Sequence, residues 1–199
     1  MVTEASVWVG IRLLLRWPAH LGATIFNTVV LTPVLCLALY DFTVFQPHAA
    51  AIASIIAHAD PEDADPPPLV REMLLAAHGG KSGLAVPVAR NLLKDKGHVR
   101  MSEWPMTFFL WSHLVCLHYS EAEIAAAFSS RAYVGAGRFG LNAAAQARFE
   151  KPLSRLSSEE AAEIIAITWS PPLMLADPAA LERRKTIILL RYDERRAIL

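Results

Sequence analysis

The hydrophobic pattern divides the chain into two regimes. Between Arg16 and Asp41 there is no Asp, Glu, Lys or Arg, and Leu21 to Tyr40 is one apolar run. At about 20 residues it matches the length a helix needs to cross a hydrocarbon core of roughly 30 Å, so a transmembrane helix is predicted over residues 21–40. Thr24, Asn27, Thr28, Thr32 and Pro33 dilute the run. Spanning helices tolerate such residues, and a buried core helix is the alternative reading. The run ends in Ala-Leu-Tyr-Asp-Phe, without the small-residue cleavage site of a secretory signal, which points to an uncleaved anchor.

From Leu69 onward the apolar positions recur at helical spacing, with legible punctuation. Ser120 with Glu123 and Ser157 with Glu160 each form a capping-box pattern, and Asp177 followed by Pro178 starts a helix that reaches about Arg196. Val70 to Ala77, Val86 to Leu93 and Thr107 to His118 supply further helices. The last is apolar nearly all round, which predicts the central core helix. Residues 41–68 are expected to be a linker, because DPEDADPPP at 60–68 cannot form a helix interior. No strand pattern of useful length and no internal repeat occurs. The expected fold class is therefore all-α, with a helical domain over residues 69–199 preceded by one transmembrane helix.

Composition sharpens this picture. With 199 residues the chain is long enough for one domain, and 54% hydrophobic against 19% charged residues is more apolar than an ordinary soluble protein. Its 19 Lys and Arg balance 19 Asp and Glu, so there is no basic field to hold nucleic-acid phosphates. Arg12 and Arg16 precede the apolar run and Asp41 follows it, which places residues 1–20 in the cytoplasm and the remainder across the membrane. VWVGIRLLLRW at 7–17 has the make-up of an interfacial helix leading into the span. Cys36 falls inside the span and Cys116 outside it, so no disulfide between them is expected.

Three local patterns resemble known chemistry and fail on context. Gly135, Gly137 and Gly140 match G-x-G-x-x-G, but no βαβ unit surrounds them, so they read as a glycine-rich turn between two helices. His113, Cys116 and His118 do not converge on one helix face, and a structural zinc site needs four ligands, so no metal site is expected. Gly79, Gly80, Lys81 and Ser82 lack the first glycine of a phosphate loop, where Leu75 stands.

The glycine turn belongs to a longer series. Tyr119 to Ile124, Tyr133 to Gly140, Ala143 and Ala144, Phe149 and Lys151, Leu156 to Ala162, Pro171, Pro178 and Glu182 to Arg184 follow one another in an order that resembles the C-terminal half of the family-51 glycosyltransferase domain. That family contains the peptidoglycan polymerases of bifunctional penicillin-binding proteins and the monofunctional transglycosylases. The resemblance implies a lysozyme-like helical fold held outside the bacterial cytoplasmic membrane by a single N-terminal helix. Gly135, Gly137, Gly140, Lys151 and Glu160 would be its structural motif residues. It implies action on lipid II or glycan chains, partners among cell-wall synthesis proteins, and no resident cofactor beyond a divalent cation if the domain is active.

Upstream, the likeness thins where the chemistry should lie. Polymerisation joins the C4 hydroxyl of one lipid-linked disaccharide to C1 of another, which requires a base near the hydroxyl and positive charge on the leaving diphosphate. The family's first glutamate aligns with His78, followed by Gly79. GKSGLAVPVARNL then follows at once, in place of a long membrane-dipping jaw segment. In this run Gly80, Ser82, Ala89, Asn91 and Leu92 agree with the family, Arg90 stands for a lysine, and Val86 and Pro87 replace two glutamines. The second glutamate aligns with Phe108; Glu103, preceded by Arg100, serves only with an insertion of about five residues, more than one helical turn. Two readings follow. The favoured one is a catalytically degenerate binding or scaffolding domain that uses Ser82, Arg90, Asn91 and Arg100 toward the substrate. The alternative is a minimal lipid II polymerase with Glu103 as its catalytic residue.

Overall fold

The computed structural model describes residues 24–95 and 104–198, which fall into two compact units divided between Pro47 and His48. Helix α1 (Thr24–Ala57) is continuous over 34 residues. Among the described residues it is the one helix long and apolar enough to cross a membrane by length and composition. In the first unit it presents Ile25, Phe26, Val29, Leu35 and Phe42 on its surface. Two of its hydroxyls are satisfied within the helix: Thr32 Oγ1 donates to the Asn27 carbonyl at 2.8 Å and Thr43 Oγ1 to that of Leu39 at 2.7 Å. A hydrocarbon environment, with no water to bond, demands this. Residues 1–23 of the expected cytoplasmic segment and span lie outside the described residues.

The segment expected to be a linker is structured instead. HAAAIASIIAHA is helical to Ala57, with Ile52 buried. Asp60 then caps the one-turn helix α2 (Pro61–Ala64) by accepting from Glu62 N. The prolines do not oppose this, because Pro61 and Pro68 occupy the first helical position, where a missing N–H costs nothing. Three of the four acids, Asp60, Glu62 and Asp63, accept from backbone donors, and Asp63 is buried.

Helix α3 (Pro68–His78) is the centre of the second unit. Val70, Met73, Leu74, Leu75, Ala76 and Ala77 are buried, and it contacts α4 (Lys81–Asp95), α6 (Glu121–Arg131), α8 (Ser158–Ile167) and α10 (Pro178–Ile198). The expected core helix, α5 (Trp104–His118), packs chiefly on α4. It buries Trp111, Ser112, Leu114 and Val115 while Met106, Phe109 and Leu117 stay exposed. An all-round apolar composition therefore does not mean all-round burial here. The capping boxes at Ser120 and Ser157 are both formed, and Asp177 Oδ1 accepts from Ala179 N and Ala180 N at the start of α10. The glycine motif forms a small antiparallel hairpin, β1 (Tyr133–Gly135) and β2 (Arg138–Phe139), turning through Ala136 and Gly137 at positive φ. It leads into α7 (Leu141–Phe149), and the short α9 (Pro171–Ala176) lies between α8 and α10.

Asp63 ties these pieces together. It is 3% exposed, and its Oδ1 accepts from Ser129 Oγ at 2.7 Å and from Asn142 N at 3.0 Å, joining α2 to α6 and α7. Asn142 Nδ2 donates to Asp60 Oδ1 at 2.9 Å, while Glu62 accepts from Ser154 N and Oγ. Gly140, at φ 97°, passes so close that a Cβ there would lie 2.5 Å from Asp63 Oδ2. Replacing Asp63 by Ala strands two buried donors and should lower stability by about 2–4 kcal/mol in denaturation of the full chain in detergent.

The same carboxyl sets a pH dependence. Burial pushes it up to about 6, with the Ser129 and Asn142 hydrogen bonds opposing and Asp60 adding a smaller push. The folded state thus holds this proton more tightly than the unfolded state, where the ordinary value is 3.8. The resulting stability is complete below that value and is lost as pH rises through about 6. The advantage of the native protein over D63N, read as a difference in Tm, should shrink between about pH 4 and about pH 7; a gap that widens would mean that the hydrogen bonds to the carboxylate outweigh its burial.

Candidate functional site

Two adjoining hollows open on the face where α3 ends and α4 runs past α6. The larger, about 500 Å³, is lined by Ala77, His78, Gly83, Val86, Pro87, Arg90, Phe128, Thr168, Trp169 and Arg191. The other, about 380 Å³, shares Pro87, Arg90, Phe128 and Thr168 with it and adds Asn91, Lys94, Arg131, Tyr133 and Phe139. Together they form one cleft. Four Arg or Lys side chains line it, and among the described lining residues there is no Asp or Glu.

Local sequence explains the shape of the floor. Helix α3 stops at Gly79, a left-handed C-cap, and α4 starts at Lys81. The two helices approach so closely that a Cβ on Gly83 would lie 1.8 Å from the His78 carbonyl oxygen. One turn later Pro87 sits inside α4 and has no N–H for the Gly83 carbonyl. A glycine and a proline, poor helix formers, thus shape the wall, and Val86 and Pro87 stand where the family resemblance leads one to expect two glutamines.

His78 is held at the end of α3. Its Nδ1 lies 3.0 Å from the Leu74 carbonyl, and a carbonyl only accepts, so Nδ1 carries the proton. The ring packs edge-on against Phe128, with centroids 5.1 Å apart, and stands 6.4 Å from Trp169. Burial lowers its pKa below the usual histidine value; the Leu74 bond opposes this, and the charges of Arg184 and Arg191 add to it. The imidazole is therefore neutral near pH 7, with Nε2 as its lone-pair nitrogen.

The arginines come from two elements. Arg90 is exposed on α4. Arg191, on α10, donates from Nη1 to the Ala77 carbonyl at 3.0 Å, one of the last carbonyls of α3, which have no acceptor role within the helix. Arg184, two helical turns earlier, stacks over Trp169 with its guanidinium carbon 3.6 Å from the ring centroid. Its Nε is buried without a hydrogen-bond partner.

The residues singled out in the sequence do not all converge on this cleft. Arg90 and Asn91 line it. Ser82 is exposed in the first turn of α4 and is not among the lining residues. Arg100 and Glu103 lie outside the described residues. Gly135 lines a separate hollow of about 150 Å³ near Leu175, Gly137 is at the hairpin tip, and Gly140 abuts Asp63. Lys151 Nζ bonds Glu160 Oε1 at 2.6 Å beside the cap of α8. Among the described residues no group of three or more His, Cys, Asp or Glu side chains is placed to hold a metal ion.

Sequence reasoning missed Trp169, Arg191, Lys94 and Arg131. The seven-residue interval from Arg184 to Arg191 was a usable signal, since two helical turns return both to one face of α10. Trp169 sits in a short inter-helix segment with no periodicity to mark it.

A family model described as Transglycosylase matches residues 70–193, which is more than half of the chain and lies wholly within the second unit. No curated protein matches the chain.

The close approach at Gly83 gives a direct check of how His78 is held. Gly83→Ala forces α4 away from the end of α3 and should cost about 1–3 kcal/mol by thermal denaturation. Ser82→Ala, at the neighbouring exposed position, should stay within about 0.5 kcal/mol of the native protein.

Proposed function

The chain belongs to the transglycosylase family, and from that premise we propose that it is a membrane-anchored, peptidoglycan glycosyltransferase-like domain that binds a lipid-linked sugar diphosphate without polymerising it. Its helical domain is of the lysozyme-like kind that this family uses. The observation that carries the binding reading is the cleft's charge: Arg90, Lys94 and Arg191 line it and, among the described lining residues, no carboxylate does. A diphosphate complements that charge, and guanidinium groups match phosphate oxygens in pairs. The same absence speaks against catalysis. Glycosyl transfer needs a positioned proton acceptor, which typically contributes about 10²- to 10⁴-fold, and neutral His78 stands where the family resemblance leads one to expect glutamate.

The apolar α1 fits an anchor in the bacterial cytoplasmic membrane, with the second unit on its outer side. There the domain acts as a scaffold, holding lipid II or nascent glycan for synthesis proteins that carry out the chemistry. A divalent cation is not needed for the binding reaction in this reading.

The test uses the purified full chain in detergent with fluorescent lipid II. Direct binding without glycan polymer is expected, and Arg90→Ala should weaken it by about tenfold or more, as loss of a charge-assisted contact would. Failure of the native protein to bind lipid II would overturn the reading. Polymer that vanishes in Glu103→Gln would instead make this a minimal polymerase.

A further inference from the structure

Trp169 is the feature of the cleft that diphosphate binding leaves unexplained. It is a large aromatic side chain, 58% exposed, in the wall of a hollow that Arg90 and Arg191 also line. Exposed within a concave hollow, it offers the kind of apolar contact surface that ligand pockets use. Its position is also fixed. Arg184 covers one face at 3.6 Å, so the opposite face is the one left to a ligand.

We infer that Trp169 is a stacking platform for a pyranose ring, and that His78 Nε2 accepts a hydrogen bond from a hydroxyl of the same sugar. This rests on the diphosphate-binding reading above and adds which part of the ligand the site distinguishes. The negative π face of an indole attracts the slightly positive C–H bonds on the flat side of a pyranose, and the contact removes apolar surface from water. Arg184 holds the ring before any ligand arrives, so less side-chain freedom is lost on binding. His78 lies within one ring-to-ring step of Trp169, 6.4 Å between centroids, and its Nδ1 is committed to Leu74. That leaves Nε2 as an acceptor, which suits a hydroxyl and not a phosphate oxygen. The two contacts therefore read sugar, while Arg90 and Arg191 on the same hollow read diphosphate.

The experiment compares two probes on the full chain in detergent: lipid II, and the same polyprenyl diphosphate without sugar. The native protein should prefer lipid II by about tenfold, the order expected for one aromatic stack and one hydrogen bond. Trp169→Ala should abolish that preference while leaving affinity for the sugar-free lipid within about twofold, and Trp169→Phe should keep most of it. Arg90→Ala should weaken both probes alike. A native protein that binds both probes equally would overturn the platform and leave the diphosphate reading intact. Equal weakening of both probes by Trp169→Ala would also overturn it, because the indole would then serve only to hold Arg184. If the native protein binds neither probe, both readings fall together.

Discussion

The second unit depends on one buried carboxyl. Asp63 reaches Ser129 and Asn142 from a short acidic turn more than sixty residues earlier in the chain, and Gly140 has no side chain because that carboxyl occupies the space. Its partners sit on α6 and at the start of α7, either side of the glycine hairpin, so a single group fixes the angle at which the hairpin leaves the helical core. Burial of the carboxyl is unfavourable, as its upward pKa shift records, and is tolerated because donors converge on it. Asp60 and Glu62 extend the clamp to Asn142 and Ser154. The whole acidic turn is thereby part of the fold.

The Asp63 clamp also explains where sequence reading succeeded and where it did not. The caps at Ser120, Ser157 and Asp177 were legible because capping is local: the donor and acceptor lie within three residues of each other. The acidic turn was misread because its partners lie far away in the chain. Four acids and four prolines look like a solvated linker until Ser129 and Asn142 are placed beside them. Helix α5 was misjudged for a related reason. Composition gives how apolar a helix is, while only packing shows that Trp111 and Val115 are buried and Met106, Phe109 and Leu117 are not. Of the candidate site, Arg90 and Asn91 were legible through their neighbours in one helical run. Trp169 and Arg191 were not, because they reach the cleft from separate elements.

Charge decides what the cleft can do. Arg184 and Arg191 lie two turns apart on α10, close enough for each to depress the basicity of its surroundings: both push His78 toward its neutral form, and Arg191 with burial lowers Arg184 itself. A carboxylate at position 78 would relieve this crowding and would be held in its charged form by the same two guanidinium groups. With histidine there, position 78 does not supply that compensation. In the proposed reading an anionic ligand supplies it instead, so a histidine in place of a base also favours the attraction for a diphosphate.

That exchange separates binding from turnover. An enzyme gains rate only from interactions that are stronger in the transition state than in the ground state. Cations that neutralise a bound diphosphate act on the ground state as well, and they accelerate bond cleavage only when the attacking hydroxyl loses its proton in concert. A neutral imidazole resists that proton because it is largely buried and, to a lesser degree, because of the charges of Arg184 and Arg191. In the proposed reading the cleft keeps the half of glycosyl-transfer chemistry that recognises the leaving group and lacks, at position 78, the half that activates the nucleophile. On that reading the residue that stands in place of a base is the same one whose Nε2 is proposed to meet a sugar hydroxyl.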